Sequence, residues 1–106
     1  AMFLAANSAP GRRLCGVDLD PLTAACAAAN VAAVAERIPA DVRPVVRIEI
    51  ADAASFRVED FAAWHIDPDR RPGGRRTTRV EAFLPPADAL SALLARNPHA
   101  AWKLAP

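Results

Sequence analysis

Three aspartates, each following a short apolar run, are the residues of this sequence best suited to hold a ligand. Asp18, Asp52 and Asp67 lie at or just beyond the ends of these runs. An ionised carboxylate only accepts hydrogen bonds and a ribose diol donates two, so Asp18 suits a ribose. Asp52 suits the exocyclic amine of adenine. Asp67, next to the rigid Pro68, suits a substrate amine, which it would hold or deprotonate. Together the acids predict a nucleoside site.

Each acid also has a purely structural interpretation. Asp18 taken alone is more simply the end of a strand, and Asp20, which is followed by Pro21, is the expected N-cap of a helix. Coincidence is a weaker explanation for three acids at one edge of a sheet. The joint pattern therefore favours a ligand site, with Asp20 assigned to capping.

The elements that must position these acids alternate between strands and helices. The apolar patterns predict strands over residues 14–17, 45–50, 62–66 and 100–104, helices over 22–37 and 86–96, and an irregular connection over 56–61. This alternation predicts a parallel sheet with right-handed crossovers, in a three-layer α/β Rossmann-like fold. Residues 2–7 resemble the last turns of a preceding helix, as though the chain were cut from a longer one.

Several other residues that can do chemistry are expected in the core instead. Apolar sequence context predicts burial for both thiols, both tryptophans and one histidine: Cys15, Cys26, Trp64, Trp102 and His65. In the predicted helix over residues 86–96, Leu90, Leu93 and Leu94 recur at helical spacing. The cysteines lack CxxC spacing and nearby histidines, which argues against a disulfide framework or a zinc site. No metal is expected.

Charge, hydropathy and the absence of certain motifs exclude several classes of function. The 13 basic and 12 acidic residues nearly balance, so no global field draws the whole surface onto nucleic acid. No apolar run approaches the ~20 residues of a membrane span, and the first residues lack the basic start of a signal peptide. The sequence contains no GxSxG, P-loop or HExxH motif. We therefore expect residues 1–106 to be part of a single cytoplasmic domain with no membrane partner.

A local basic patch follows the third acid. Guanidinium groups crowded here would clamp the phosphates of an RNA substrate. The glycines at 73 and 74 favour the other interpretation, a solvated loop without a ligand. The arginines concerned are Arg70, Arg71, Arg75, Arg76 and Arg79.

Four segments in order resemble one enzyme class. Residues 16–21, Gly-Val-Asp-Leu-Asp-Pro, followed by the alanine-rich helix, resemble the second-strand motif of class I methyltransferases that use S-adenosylmethionine. Residues 51–53, 66–71 and 102–106 look like their third-, fourth- and fifth-strand motifs. The narrower resemblance is to bacterial methyltransferase-related proteins with a THUMP-like domain. Acid-proline-x-arginine-arginine and lysine-leucine-small-proline segments recur in those proteins.

The resemblance implies a cofactor and its contacts. S-adenosylmethionine would be held at its ribose by Asp18, with Leu19 flanking the adenine and with Asp52 and Ala53 reading it. The family's first strand and its glycine-rich loop, which wraps the methionine part, are missing here. This chain alone is therefore expected to have weak activity or none, and the strand edge left open is expected to invite self-association.

The resemblance also implies where methyl transfer occurs. Asp67 and Pro68 would face the transferred methyl group as the catalytic residues. Base-modifying relatives usually carry an aromatic residue after the acid-proline pair, whereas Asp69 and Arg70 follow here. An RNA acceptor is preferred over a small molecule or a protein, through the basic patch.

Two other classes stay open. A nicotinamide-dependent Rossmann oxidoreductase would use Asp18 for its ribose equally well, but it gives Asp52 and residues 67–71 no role. A degenerate methyltransferase fold, kept as a non-catalytic module that binds RNA or a partner, would need no chemistry at all. A GxGxxG upstream would favour the first, and RNA binding without cofactor binding would favour the second.

Overall fold

A computed structural model describes residue 7, residues 9–68 and residues 84–103 of the chain. The backbone divides into two compact units, Ala1–Asp52 and Ala53–Pro106, which we describe separately. Two predictions lie outside the described residues. One is the helix expected over residues 2–7, except for Asn7, and the other is the basic patch, with Arg70, Arg71, Arg75 and Arg76.

The first unit is a strand–helix–strand arrangement. Its elements are β1 (Arg13–Asp18), α1 (Pro21–Ala35) and β2 (Val45–Ile50). The strands pair in parallel, with Arg13 opposite Val45 and Asp18 opposite Ile50. The predicted strands and helix of this unit are confirmed to within two residues. Because the strands are parallel and in register, their carboxyl ends lie side by side.

Helix α1 begins where the sequence predicts and buries little of its surface. Pro21 occupies the first turn, and Asp20 is the N-cap. Of its fifteen residues, Ala24 is the one that is buried. Cys26 lies two positions further along, about 200° around the helix, and is exposed. The prediction that Cys26 is buried is therefore wrong, whereas Cys15 on β1 is partly buried.

The second unit contains a second parallel pair of strands. Two 3-10 turns, Ala53–Ser55 and Val58–Asp60, precede β3 (Trp64–Ile66), α2 (Ala87–Arg96) and β4 (Ala100–Trp102). Trp64 lies opposite Ala100 and Ile66 lies opposite Trp102. The predicted helix and strands are confirmed, although β3 is shorter than expected.

The core of the second unit forms between its helix and one face of its sheet. Val58, Leu90 and Leu93 are buried, and four partly buried apolar side chains pack against them: Phe56, Trp64, Ile66 and Trp102. The two indole rings lie 6.3 Å apart at 46°. Both tryptophans are thus core anchors, as predicted, whereas Leu94 is exposed.

His65 points away from this core. Side chains alternate along a strand, so Trp64 and Ile66 face the core while His65 is exposed. Its neighbour on β4, Ala101, is exposed as well. The prediction that this strand is buried on both faces, with His65 in the core, is wrong. One face of the two-stranded sheet carries the core contacts.

Asn97 ties the second unit together from the end of α2. It is 6% exposed, and its side-chain Nδ2 donates to the carbonyls of Val58 and Phe61 at 2.9 and 2.8 Å. Its Oδ1 accepts the His99 N–H at 2.9 Å, and its carbonyl accepts from the Trp64 indole at 2.8 Å. Hydrogen bonds of Asn97 thus connect the end of α2 to the second 3-10 turn and to β3.

The described strands therefore form two parallel two-stranded sheets. The expected α/β class, the parallel pairing and the helical connection of the first pair are confirmed. The chain is a small α/β fold whose two units each place the carboxyl ends of two strands together.

Candidate functional site

Asp18 is the last residue of β1, and its side chain has a fixed direction. Its Oδ1 accepts the backbone N–H of Asp20 at 2.9 Å. Its carbonyl accepts the N–H of Ala51 at 3.0 Å, which joins the ends of β1 and β2. A carboxylate has about four lone-pair sites, so the bond from Asp20 leaves capacity for a ribose hydroxyl.

Three large apolar residues that are near Asp18 in the chain or in the strand register are exposed to solvent. Leu19 is 69% exposed and Leu22, in the first turn of α1, is 72% exposed. Ile50, opposite Asp18 in the strand register, is 61% exposed. A carboxylate beside accessible apolar surface fits a nucleoside, because the ribose needs an acceptor and the base needs a flat apolar contact.

The Asp20 carboxylate accepts hydrogen bonds from the first turn of α1. Its carboxylate accepts the N–H of Leu22 at 3.3 Å, the N–H of Thr23 at 3.1 Å and the Thr23 hydroxyl at 2.7 Å. The bond from the Thr23 hydroxyl, followed by those from the Thr23 and Leu22 N–H groups, lowers the pKa of Asp20 below its ordinary 3.8. The capping role predicted for Asp20 is confirmed.

Asp52 lies just past β2, as the sequence predicts. It follows Ala51, whose N–H bonds to Asp18, so it is at the same end of the first unit as Asp18. Asp52 is exposed. Ala53 is partly buried and begins the first 3-10 turn of the second unit. The structure thus brings Asp18, Leu19 and Asp52 to one end of the first unit.

Asp67 follows β3 in the second unit and has a charged partner that the sequence did not reveal. Its Oδ2 lies 2.9 Å from Lys103 Nζ. The Lys103 N–H also donates to the carbonyl of Ile66 at 3.0 Å, so the two residues are neighbours across the strand ends. Pro68, directly after the acid, is buried. In the sequence, Lys103 was marked as the single lysine among 13 basic residues and as part of the fifth-strand resemblance, but neither signal pointed to Asp67 as its partner.

The described residues were searched for metal-binding groups and for helices that could span a membrane. Residues 9–68 and 84–103 contain no group of three or more His, Cys, Asp or Glu side chains placed to hold a metal ion. Among the residues described there, no helix combines the length and the apolar character needed to cross a membrane.

The chain was compared with models of known protein families, with curated protein sequences and with solved structures. None of the three comparisons found a match.

Proposed function

We propose that this sequence is part of a Rossmann-like methyltransferase domain that uses S-adenosylmethionine, with the first unit holding the nucleoside end of the cofactor. The observation that carries the proposal is the pairing of the strands. Two parallel pairs form, β1 with β2 and β3 with β4, and β1 and β3 are each followed or ended by an aspartate.

The pairing agrees with the strand order of doubly wound folds. In the order 3-2-1-4-5, the second strand pairs with the third and the fourth pairs with the fifth. By the motifs that they carry, β1 and β2 correspond to the second and third strands, and β3 and β4 to the fourth and fifth. Both observed pairs are the ones that this order requires. Its first strand, which carries the glycine-rich loop, has no counterpart among the described strands.

The residues at the end of the first unit fit the nucleoside. Asp18 supplies the acceptor for the ribose, held in direction by the N–H of Asp20. Leu19 and Ile50 supply accessible apolar surface for the adenine, and Asp52 with Ala53 would read its edge. The fit covers the adenosine part of the cofactor, because the methionine part would contact the glycine-rich loop.

The charges at this end weigh against a dinucleotide. Asp18, Asp20 and Asp52 lie there, and the sequence has no lysine or arginine over residues 14–36 or 48–56. A nicotinamide dinucleotide brings a doubly negative pyrophosphate, which carboxylates repel. S-adenosylmethionine has no phosphate and carries a positive sulfonium. The acidic end therefore favours methyl transfer over nicotinamide-dependent oxidation.

The cofactor supplies an electrophilic methyl group when bound, and the second unit supplies an acceptor of hydrogen bonds. Asp67 would accept an N–H of the methyl acceptor and orient its nitrogen. Pro68 fixes the backbone directly after that acid and is buried. RNA remains the proposed methyl acceptor through Arg70, Arg71, Arg75 and Arg76, which lie outside the described residues.

Calorimetric titration of S-adenosylhomocysteine into the whole protein that contains this sequence tests the cofactor site. We expect micromolar binding by the wild type and binding at least about tenfold weaker for Asp18→Asn. Asparagine keeps an oxygen for the N–H of Asp20 but removes the charge and one acceptor. The matched control is Asp41→Asn, an exposed acid of the first unit, which should bind like the wild type.

The alternatives predict different titrations. Binding of a nicotinamide dinucleotide but not of S-adenosylhomocysteine would contradict the proposal and favour an oxidoreductase. RNA binding with no affinity for either ligand would favour the non-catalytic module. Equal affinity of the Asp18→Asn variant and the wild type would remove Asp18 from the site.

A further inference from the structure

Four exposed arginines of the first unit lie at the end opposite to the candidate nucleoside site. Arg12 and Arg13 lie at the start of β1, and the Arg12 carbonyl accepts the N–H of Val45 at the start of β2. Helix α1 runs back from the carboxyl ends of the strands, so the residues that follow it reach the same end. Arg37 and Arg43 lie in that segment, and all four arginines are exposed. We call these four residues the amino-end arginines.

Ion pairs distinguish the amino-end arginines from the other cations among the described residues. Arg47, Arg57, Arg96 and Lys103 each pair with a carboxylate, at 2.9 to 3.6 Å. None of the amino-end arginines forms an ion pair within the part of the chain that the structure describes. The cations without an acidic partner are therefore collected at one end of the first unit.

The local charge at this end is positive. Residues 7–13 and 36–44 contain the four arginines and two acids, Glu36 and Asp41. Arg43 is also held in place, because its Nε and Nη2 donate to the Ile38 carbonyl at 3.2 and 2.8 Å. The carboxyl end of the same strands carries three aspartates and no cation. An anionic partner of the first unit is therefore attracted to the amino end and repelled from the other.

The placement of the arginines suits an extended polyanion. Successive residues of an extended chain point to opposite sides, so Arg12 and Arg13 direct their side chains to opposite faces of the sheet. A single small anion would need donors that converge. A lipid surface would need apolar side chains beside the cations. Among the large exposed apolar residues described in this unit, Val45 alone lies at this end, whereas three lie at the other.

We propose that the amino-end arginines bind the phosphate backbone of a nucleic acid, at a surface separate from the candidate cofactor site. A guanidinium group binds a phosphate through two parallel N–H bonds. Such contacts position a nucleic acid without reading its sequence. The five residue steps from Arg13 to Asp18 along β1 span roughly 16 Å. The surface therefore does not depend on cofactor binding.

Fluorescence anisotropy of labelled oligouridine RNA with the whole protein, at several salt concentrations, tests this surface. We expect Arg12→Gln/Arg13→Gln to weaken binding about tenfold and to reduce the slope of log K against log salt by about 1.4, the value of two contacts to a single strand. The matched control is Arg47→Gln/Arg57→Gln, which removes the same charge from two arginines that are paired with acids. Its slope should change by less than about 0.7, the value of one contact.

A second variant should change the affinity in the opposite direction. Glu36→Gln/Asp41→Asn removes the two acids beside the amino-end arginines and should strengthen RNA binding about threefold or more at low salt. A gain in affinity cannot result from loss of folding. An unchanged affinity would show that the RNA does not approach this end of the unit.

The probe can be varied to identify the partner. A labelled oligothymidine DNA of the same length should lose affinity in Arg12→Gln/Arg13→Gln as the RNA does, because both carry the same phosphates. Polyglutamate of that length should compete poorly. Competition as strong as that of unlabelled RNA would overturn the proposal and favour an acidic protein as the partner.

Three other results would also overturn the proposal. One is a wild-type protein that binds no nucleic acid. Another is an Arg12→Gln/Arg13→Gln variant with the affinity and salt slope of the wild type. The third is binding that falls only in Arg75→Gln/Arg76→Gln, which would assign the RNA to the basic patch. The Arg12→Gln/Arg13→Gln variant should keep the wild-type affinity for S-adenosylhomocysteine, so failure of the cofactor site gives a separate result.

Discussion

Asp18 and Asp20 have the same side chain and lie two residues apart, yet their surroundings give them different tasks. Asp20 accepts three hydrogen bonds from Leu22 and Thr23, and all of them serve the start of α1. Asp18 accepts one bond, from the N–H of Asp20, and has apolar neighbours that are open to solvent. The N–H of Asp20 thus contacts the carboxylate of Asp18, while the carboxylate of Asp20 itself bonds to the first turn of α1.

Replacing Asp20 tests the capping role. Asp20→Ala should lower the melting temperature at pH 7, since the first-turn N–H groups lose their acceptor, whereas Asp20→Asn should stay close to the wild type because asparagine also caps helices. The pKa of Asp20 is lower in the folded protein than in the unfolded chain, so its stabilisation is complete above the unfolded value of 3.8. It is lost as the pH falls through the lowered folded pKa.

Melting curves followed by circular dichroism check both parts. The difference in melting temperature between the wild type and Asp20→Ala should be constant around neutral pH and should become smaller below about pH 4. An advantage that stays the same at the lowest pH would show that the carboxylate charge has no part in it.

Among the described residues, Asn97 should be the polar residue whose removal costs most stability. Asn97→Ala leaves the buried carbonyls of Val58 and Phe61 without their donor and the N–H of His99 without its acceptor. We expect the free energy of unfolding to fall by about 2–4 kcal/mol, measured by urea denaturation. Ser91→Ala, at an exposed position of α2, is the control and should change it by less than about 1 kcal/mol. A cost for Asn97→Ala as small as that of the control would contradict this account.

The bounds of the elements were predictable because local chemistry sets them. Asp20 with Pro21 starts α1, and Asn97 with Pro98 follows the end of α2, by interactions within a few residues of each boundary. The strand ends at Asp18 and before Asp67 were likewise predicted from the residues themselves. A carboxylate after an apolar run marks the point at which the strand ends.

Burial and distant contacts were less predictable, because they depend on which face another element covers. His65 lies in an apolar run, but one face of the short sheet carries the core, so alternation exposes it. Cys26 is in a helix whose alanines mark no dominant apolar stripe. The pairing of Asp67 with Lys103 depends on the register of two strands far apart in sequence, which no local pattern specifies.

Two neighbouring leucines of α2 test the assigned core of the second unit. Leu93 is 1% exposed and Leu94 is 38% exposed. Leu93→Ala opens a cavity beside Leu90 and Val58 and should cost about 2–5 kcal/mol of unfolding free energy. Leu94→Ala makes the same chemical change outside the core and should cost about 1 kcal/mol or less. Chemical denaturation of both variants measures the difference, and equal costs would mean that the face of α2 is assigned wrongly.

At the scale of the whole molecule, the candidate residues are divided between the two units. Asp18, Leu19 and Asp52 belong to the first unit, and Asp67 and Lys103 belong to the second. If the proposed function holds, titration of S-adenosylhomocysteine reports on the first group, and a methyl-transfer assay reports on the second as well. A variant in the second unit that binds the ligand normally but transfers slowly would separate the two contributions.

The parallel pairing also has a consequence for synthesis on the ribosome. Neither of the two described strand pairs forms as a hairpin, since residue 13 pairs with residue 45 and residue 64 pairs with residue 100, which are synthesised much later. At ordinary translation rates the second wait lasts roughly 2–7 s. During that time Trp64 and Ile66 have emerged without their partner strand, so the nascent second unit presents an open apolar edge to chaperones until its last strand is made.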